Sequence, residues 1–263
     1  MLAILDGTVL PAEEARVPAT DEGLLRGDGV FEVIRLYGGR PFALDDHLER
    51  MGRSAHNLRL PIDVDAMRAD IEALLAEAGA VDAALRVLWT RGGRRLGLIE
   101  PIKDRPGELA LATVTYAPPR ILDGVKSLSY AGNMLAGRLA LERGADEALL
   151  VTPHGRVLEG PTNSFFCSFD GRELVTPPMD DHILDSITRR RLLGLAPVRE
   201  APVTVDDLGR VREAFMASTI LEVRPVRSID GTTLPAAPGP QTQAAASALR
   251  AHIEEALAPS AAR

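Results

Sequence analysis

The stretch Gly124-Val125-Lys126-Ser127-Leu128-Ser129-Tyr130 contains one of only two lysines in the chain. Of the 30 basic residues, 28 are arginines, and the second lysine, Lys103, lies in a polar, proline-bracketed stretch typical of a surface loop. A guanidinium group keeps its proton at physiological pH, so arginine cannot replace a lysine that acts as an amine nucleophile. Lys126 is predicted at the end of a strand, just before a helix. It is therefore a candidate catalytic amine, and the alternative is an ordinary surface lysine.

The composition indicates a globular protein and excludes several classes. The chain has 263 residues, 46% of them hydrophobic, which is enough for two modest domains with their own cores. Its net charge of −7 argues against a general nucleic-acid binder. No window approaches the ~18 consecutive apolar residues of a membrane span, and the N-terminus does not resemble a signal peptide. Cys167 is the only cysteine, which excludes a cysteine metal site, and its apolar neighbours predict a buried thiol. Together these features predict a soluble cytoplasmic protein.

Strand and helix patterns alternate along the first half of the chain. Residues 30–36 are rich in β-branched and aromatic residues, and the Gly38-Gly39 pair after them predicts a turn. Apolar residues then recur at three- and four-residue spacing over 45–58 and again over 63–78, which predicts two helices. The stiff Pro118-Pro119-Arg120 stretch is the predicted linker.

The second half combines helices with predicted β-hairpins. It begins with a predicted strand over 125–129 and a helix over 131–143, which Gly144 closes. Two hairpins are predicted to turn at His154-Gly155 and at Asp170-Gly171. This mixture favours the α+β class over a doubly wound parallel sheet.

Seven short motifs follow one another along the chain. They are Arg26-Gly27-Asp28-Gly29-Val30-Phe31-Glu32, Asp46-His47-Leu48-Glu49-Arg50, Lys126-Ser127-Leu128, Gly144-Ala145-Asp146-Glu147-Ala148, Leu158-Glu159-Gly160-Pro161-Thr162-Asn163, Ile187-Thr188-Arg189 and Ser218-Thr219-Ile220-Leu221-Glu222-Val223-Arg224-Pro225-Val226. In order and spacing they resemble the class IV aminotransferases, the fold-type IV family that uses pyridoxal 5′-phosphate. The family includes D-amino-acid aminotransferases, branched-chain aminotransferases, (R)-selective amine transaminases and aminodeoxychorismate lyases. The resemblance covers most of the chain.

The resemblance implies a two-domain α+β protein. A small N-terminal α/β domain would span residues 1–117, and residues 118–123 would form the interdomain linker. A larger C-terminal domain over 124–263, with a β-barrel-like core, would carry the cofactor lysine. In this family the N-terminal domain of one subunit reaches the partner's site, so the resemblance also implies a homodimer. The expected partners are a small-molecule amino donor and a 2-oxo acid acceptor, without nucleic acid, membrane or metal.

Pyridoxal 5′-phosphate presents an aldehyde, a ring nitrogen, a phosphate and a phenolate, and the resemblance assigns a residue to each. Lys126 matches the Schiff-base lysine, whose amine also moves the proton of the substrate Cα. Glu159 matches the carboxylate that keeps the ring nitrogen protonated, so that the ring withdraws electrons. Arg50 matches the phosphate-binding arginine, and Tyr130 is the candidate for the phenolate. By residue type alone, Glu159 and Arg50 would be surface residues, and Tyr130 could be buried with its hydroxyl bonded elsewhere.

Two further segments are expected to bind the phosphate. Ile187 and Thr188 open a predicted helix, and backbone N–H groups at a helix start bind phosphate well. Ser218 and Thr219 match a second loop of donors. Many family members have glycine before the Ile-Thr pair, whereas this chain has Ser186, whose hydroxyl could itself donate to the phosphate.

The substrate-binding residues follow from comparison within the family. The first and third motifs are closer to D-amino-acid aminotransferases than to branched-chain enzymes, although Phe31 stands where D-specific enzymes commonly have tyrosine. The histidine that helps those enzymes to bind the substrate carboxylate has no counterpart in the stretch 90–95. Arginine suits bidentate carboxylate binding. The candidates, each alternatively a surface charge, are Arg26, Arg91, Arg94 and Arg95.

These matches predict a transaminase that moves the amino group of a D-amino acid to a 2-oxo acid, such as 2-oxoglutarate or pyruvate, through a Schiff base on Lys126. A loosened carboxylate site could also admit (R)-primary amines. Two alternatives stay open: an L-branched-chain-amino-acid aminotransferase, and a lyase that cleaves 4-amino-4-deoxychorismate to 4-aminobenzoate and pyruvate. The joint presence of Lys126, Glu159 and Arg50 argues against a non-catalytic relic.

Overall fold

The structure, a computed structural model, describes residues 1–258 and divides into two compact units. The first unit comprises Met1–Lys103 and Gly124–Tyr130, and the second comprises Asp104–Asp123 and the residues from Ala131 onward. This division differs from the predicted domain boundary at residue 117, because the strand Leu109–Thr115 hydrogen-bonds within the sheet of the second unit. Within the part of the chain that the structure describes, no helix is long and apolar enough to cross a membrane.

The first unit contains one antiparallel sheet and two long helices. In chain order its elements are β1 (Leu2–Leu5), β2 (Thr8–Pro11), α1 (Glu22–Arg26), β3 (Gly29–Tyr37), β4 (Arg40–Pro41), α2 (Leu44–Asn57), α3 (Val64–Ala78), β5 (Ala83–Thr90) and β6 (Arg95–Glu100). The strands are ordered β2-β1-β6-β5-β3-β4. The helices α2 and α3 match the two predicted ones, and their apolar faces pack with the strands in one core.

Alternate side chains of β3 face this core. Val30, Ile34 and Leu36 are completely buried in it, because successive side chains of a strand point to opposite faces of the sheet. Glu32 occupies the same phase and is also completely buried. A carboxylate is thus enclosed beside an otherwise apolar core.

The second unit contains a mixed sheet of eight strands. In chain order its elements are β7 (Leu109–Thr115), α4 (Ala131–Glu142), β8 (Glu147–Val151), β9 (Ser164–Ser168), β10 (Leu174–Thr176), α5 (Ile187–Leu195), β11 (Val198–Glu200), β12 (Glu213–Ser218), β13 (Glu222–Ile229), β14 (Thr232–Thr233) and α6 (Pro240–Ala256). The hydrogen-bonded order is β11-β10-β9-β12-β13-β7-β8, with β14 beside β13. β7 is parallel to both of its neighbours, β13 and β8, whereas β12 is antiparallel to both of its neighbours, β9 and β13. The predicted α+β class is confirmed.

Two strands of this sheet, β9 in its interior and β8 at one end, are covered on both faces. Every residue of β8 and β9 is buried, as expected for strands enclosed between layers. Cys167 lies in the middle of β9 with no exposed surface, and burial raises the pKa of its thiol to about 12. The prediction of a buried thiol is confirmed.

Candidate active site

Lys126 lies on the edge of the first unit's sheet. The N–H of Phe31 donates to its carbonyl oxygen over 3.2 Å, and the N–H of Leu128 donates to the carbonyl of Gly29 over 2.9 Å. The predicted strand over 125–129 is therefore reduced to a short bridge beside β3. Lys126 is only 9% exposed, whereas Lys103 is exposed. The two lysines of the chain thus occupy opposite kinds of environment.

Two aromatic rings surround the Lys126 amine. Its Nζ lies 4.2 Å from the ring centroid of Phe31 and 5.4 Å from that of Tyr130. The two rings meet edge to face, with centroids 5.1 Å apart. An ammonium group over an aromatic face is attracted by the ring quadrupole. The sequence-predicted residues Phe31, Lys126 and Tyr130 are thus brought together within the first unit.

Arg50 is buried in an ion pair that the sequence analysis did not assign. Its Nε donates to Glu32 Oε1 over 2.7 Å, and its Nη2 donates to Glu32 Oε2 over 2.6 Å. His47 Nδ1 lies 2.8 Å from Glu32 Oε2. Burial by itself would raise the pKa of Glu32, but the charge and hydrogen bonds of Arg50, together with His47, lower it to about 2. Burial lowers the pKa of His47, so the imidazole is neutral near pH 7.

One stripe of α2 supplies the polar groups of this cluster. His47, Arg50 and Ser54 recur at three- and four-residue spacing, so they share one face of the helix, and all three are buried. Ser54 Oγ accepts the backbone N–H of Lys126 over 3.1 Å. The stripe therefore connects the Glu32 carboxylate to the backbone of the lysine.

Glu159 lies in the second unit, in a turn that the surrounding strands hold. Its carbonyl accepts the N–H of Leu150 over 2.8 Å, and its Oε1 accepts the N–H of Leu184 over 3.0 Å. A Cβ on the next residue, Gly160, would lie 2.5 Å from the terminal methyl of Met216, so this side chain would have to move to admit any other residue. Glu159 is half-buried rather than a mobile surface group.

Tyr116 and Asn133 brace the same turn. Tyr116 Oη donates to Asn133 Oδ1 over 3.2 Å, and Asn133 Nδ2 donates to the carbonyl of Pro161 over 3.0 Å. Burial first, and then the negative charge of Glu159, raise the pKa of Tyr116. The tyrosine hydroxyl therefore stays protonated and is a hydrogen-bond donor.

The predicted phosphate segments occupy a helix start and a hairpin end of the second unit. Ser186 is the N-cap of α5, where its Oγ accepts the N–H of Arg189 over 3.3 Å. Ile187 and Thr188 follow as the first helical residues, and both are buried. At the end of β12, the hydroxyl of Ser218 accepts the N–H of Leu221 over 3.2 Å, and Thr219 lies within that turn.

The four candidate substrate arginines all pair with carboxylates of the first unit. The pairs are Arg26 with Glu22, Arg91 with Asp28, Arg94 with Asp6, and Arg95 with Asp70. Arg91 also donates to the carbonyl of Leu58 over 2.9 Å, and Arg95 lies over the ring of Trp89. Arg26 differs from the others because 73% of its side chain is exposed. Arg26 thus retains the most open guanidinium of the set.

A family model described as amino-transferase class IV matches residues 29–229, which is most of the chain. This chain belongs to the class IV aminotransferases. It is similar to the D-alanine aminotransferase of Bacillus licheniformis, with 32% identity over 96% of this chain and 97% of that protein. The predicted family is confirmed.

Two solved structures of aminotransferases are similar to this class IV aminotransferase. One is the PLP-bound form of a hypothetical aminotransferase from Mycobacterium tuberculosis, with 27% identity, a TM-score of 0.86 and coverage of 97% of this chain and 99% of that chain. The other is a branched-chain aminotransferase from Thermoproteus uzoniensis with norvaline, with 29% identity, a TM-score of 0.88 and coverage of 98% and 96%. They confirm the predicted fold type IV.

Class IV aminotransferases use pyridoxal 5′-phosphate, and the described residues fit that group. An aldehyde requires an amine, and Lys126 supplies one that is shielded from water. A phosphate requires cationic donors, and Arg50 is a guanidinium that is only 5% exposed. A protonated ring nitrogen requires an anion, and Glu159 is a carboxylate held by a backbone N–H. The predicted cofactor is confirmed at the level of the family.

Sequence reasoning missed Glu32 and His47, although a signal was present for both. Glu32 is the charged residue in the buried phase of β3, between Val30 and Ile34. His47 precedes Arg50 by three residues, on a helix whose apolar residues point inward. A charge in a buried phase needs partners of opposite charge, which would have directed attention to this pair. Tyr116 and Asn133 were also missed, and no local pattern marks their contact.

Glu32 is expected to make the protein sensitive to acid. Its pKa is about 2 in the folded protein and near 4.5 otherwise, so the stabilisation is complete above pH 4.5 and is lost as pH falls toward 2. We expect Glu32→Gln to remove about 3 kcal/mol of this pH-dependent free energy of unfolding. Urea unfolding at several pH values measures it.

The matched control for this prediction is Glu49→Gln on α2, the helix that carries His47 and Arg50. Glu49 accepts a hydrogen bond from Arg53 Nη1 over 2.7 Å, but 67% of its side chain is exposed. The control should reproduce the pH dependence of the parent. Parallel curves for the parent and for Glu32→Gln between pH 2 and 4.5 would contradict the assignment.

Proposed function

We propose that this class IV aminotransferase transfers the amino group of a D-amino acid to a 2-oxo acid, with Lys126 as its catalytic amine. The placement of Lys126, whose amine is shielded between the rings of Phe31 and Tyr130, carries the role of this lysine. The similarity to the D-alanine aminotransferase of Bacillus licheniformis supports the D-amino acid as substrate. The only other lysine, Lys103, is exposed in a loop. An amine that must lose and regain a proton needs such shelter from bulk water.

The chemistry divides between the cofactor and the chain. When bound, pyridoxal 5′-phosphate supplies the electron sink that makes the proton on the substrate Cα acidic. Lys126 Nζ takes that proton and later returns it to the product. Glu159 is the anion for the ring nitrogen, and the hydrogen bond from Leu184 orients its carboxylate. Arg50 binds the phosphate through its guanidinium.

The remaining cofactor contacts follow the family pattern. The start of α5 supplies backbone donors through Ile187 and Thr188, and the capping hydroxyl of Ser186 keeps this turn ordered. Ser218 and Thr219 supply a second set of donors at the end of β12. Tyr130 is the partner of the phenolate, which its position beside the Lys126 amine supports.

The substrate side of the site combines an apolar wall with an exposed cation. Phe31 presents a ring where a substrate side chain can pack, and it carries no hydroxyl to fix a carboxylate. Arg26 is the favoured carboxylate partner, because exchanging its exposed pair with Glu22 for a substrate costs little. Arg91, Arg94 and Arg95 would each have to leave a less exposed partner. This arrangement also suits (R)-primary amines, which lack a carboxylate.

The second candidate is an L-branched-chain-amino-acid aminotransferase. The structural similarity to the Thermoproteus uzoniensis enzyme and the apolar Phe31 favour it. Both reactions use the same lysine and differ in the face of the substrate that is presented. A 4-amino-4-deoxychorismate lyase would share Lys126 and Glu159 as well, and would differ in releasing pyruvate without a 2-oxo acid acceptor.

A homodimer is part of the proposal. The helix α4 buries only Ala136 and Ala140, although it carries several large apolar side chains. Leu135 and Leu139 are 49% and 38% exposed on it, and Leu141 is 62% exposed. Exposed apolar surface of this kind is typical of a protein–protein interface, and a second copy of this chain is the occupant that the family resemblance implies.

Replacing Lys126 should abolish the first half of the reaction. We expect Lys126→Ala to lower the rate of half-transamination by about 10³-fold or more, because the proton on Cα loses its acceptor. Lys103→Ala is the matched control and should keep the parental rate. Borohydride reduction followed by peptide mapping should place the cofactor on residue 126. A label on Lys103, or near-parental turnover in Lys126→Ala, would refute the role.

Substrate choice is tested with the holoenzyme and three amino donors. We expect the absorption band of the cofactor to be lost with D-alanine, and also with (R)-1-phenylethylamine if the carboxylate site is loose. L-leucine should leave the band unchanged. Loss of the band with L-leucine alone would replace the D-amino-acid proposal by the branched-chain one. Conversion of 4-amino-4-deoxychorismate to 4-aminobenzoate, with none of the three donors reacting, would favour the lyase.

The dimer is tested on α4. We expect the parent chain to sediment at twice its chain mass, and Leu135→Asp with Leu139→Asp to sediment at the mass of one chain, because charges replace apolar contacts. Glu142→Gln, a polar change at the end of the same helix, should leave the mass unchanged. A parent that sediments as a single chain at micromolar concentration would contradict the proposal.

A further inference from the structure

The proposed function assigns no role to Glu32, although this residue is completely buried and ionised. Two of the three guanidinium nitrogens of Arg50 donate to its two carboxylate oxygens, over 2.7 and 2.6 Å. This two-point contact fixes both the position and the plane of the guanidinium group, which a single hydrogen bond would not. The orientation of Arg50 is therefore determined by Glu32.

His47 completes the contacts of the carboxylate. An ionised carboxylate only accepts hydrogen bonds, so the Nδ1 of His47 carries the proton and donates to Glu32 Oε2. The imidazole is neutral, which leaves a lone pair on Nε2. Among residues 1–258, this buried Nε2 has no hydrogen-bond partner. Glu32 thus determines the tautomer of one side chain and the orientation of another.

A purely structural role would not explain this arrangement well. Removing a carboxylate and a guanidinium from water carries a large desolvation cost, and apolar residues of similar size fill a core at less cost. The neighbouring buried positions of β3, Val30 and Ile34, show that this layer accepts apolar side chains. An ion pair at this position is therefore better explained by a requirement for a fixed cation.

We propose that Glu32 is a positioning residue for phosphate recognition, which holds the guanidinium of Arg50 in the orientation that binds the phosphate ester of the cofactor. The inference rests on the proposed function, in which Arg50 binds that phosphate. It assigns to Glu32 no contact with the cofactor. Its effect should therefore depend on whether the ligand carries a phosphate.

The test compares pyridoxal 5′-phosphate with pyridoxal, which lacks the phosphate, as ligands of the full chain. We expect Glu32→Gln to raise the Kd for pyridoxal 5′-phosphate about 10- to 100-fold, because a hydrogen bond between charged groups is lost. The Kd for pyridoxal should change by less than about threefold, since the bond to Lys126 is unaffected. Quenching of Trp89 fluorescence, the only tryptophan signal of the chain, reports both equilibria.

Two further variants complete the design. Glu32→Asp keeps the charge but shortens the side chain by one methylene, which moves the carboxylate away from Arg50. This variant should remain folded even if Glu32→Gln does not. It should show the same loss of preference for the phosphate-bearing ligand. Glu49→Gln removes the exposed pair with Arg53 on the same helix and should leave both Kd values at the parental level. Circular dichroism verifies folding in each case.

The outcomes separate this inference from the proposed function. Equal increases of both Kd values in Glu32→Gln and Glu32→Asp would overturn the positioning role, because the carboxylate would then act on the whole site. Unchanged Kd values in both variants would overturn it as well. A parent that binds pyridoxal as tightly as pyridoxal 5′-phosphate would remove the role of Arg50 itself. Failure of the parent to bind either ligand would instead count against the proposed function.

Discussion

A carboxylate removed from water keeps its charge only when donors surround it, and in this protein Glu32 imposes that constraint on the first unit. Arg50 and His47 satisfy it, and both come from one face of α2. The ion cluster therefore also fixes α2 against β3. Ser54, farther along the same face, accepts the backbone N–H of Lys126. One face of α2 thus contacts both the buried carboxylate of β3 and the backbone of Lys126.

The elements with local patterns were predictable from the sequence. The spacing of apolar residues identified α2 and α3, because a helix face is read within a few turns. The membership of β7 in the second unit was not predictable in this way, because it depends on parallel pairing of Leu109 with Val226, far along the chain. The predicted strand over 125–129 is only a short bridge in the structure for a similar reason, because the length of a strand depends on how far it pairs with its neighbouring strand.

Prediction of the site shows the same division between local and distant information. The rarity of lysine in an arginine-rich chain marked Lys126 before any fold was known. The acidic partners of Arg94 and Arg95 could not be foreseen, because Asp6 and Asp70 lie far from them in the sequence. The contact of Tyr116 with Asn133 likewise arises from tertiary packing. Substrate preference likewise depends on contacts between residues that are distant in the sequence, because only the folded chain brings those side chains near the amine.

The contrast between the two lysines has a practical consequence for handling the protein. Lys126 is sheltered by aromatic rings, whereas Lys103 faces solvent. Lys103 belongs to the first unit. Amine-coupling reagents, such as activated esters on a sensor surface or a dye, should therefore attach through the first unit, and the surface of the second unit should stay unlabelled.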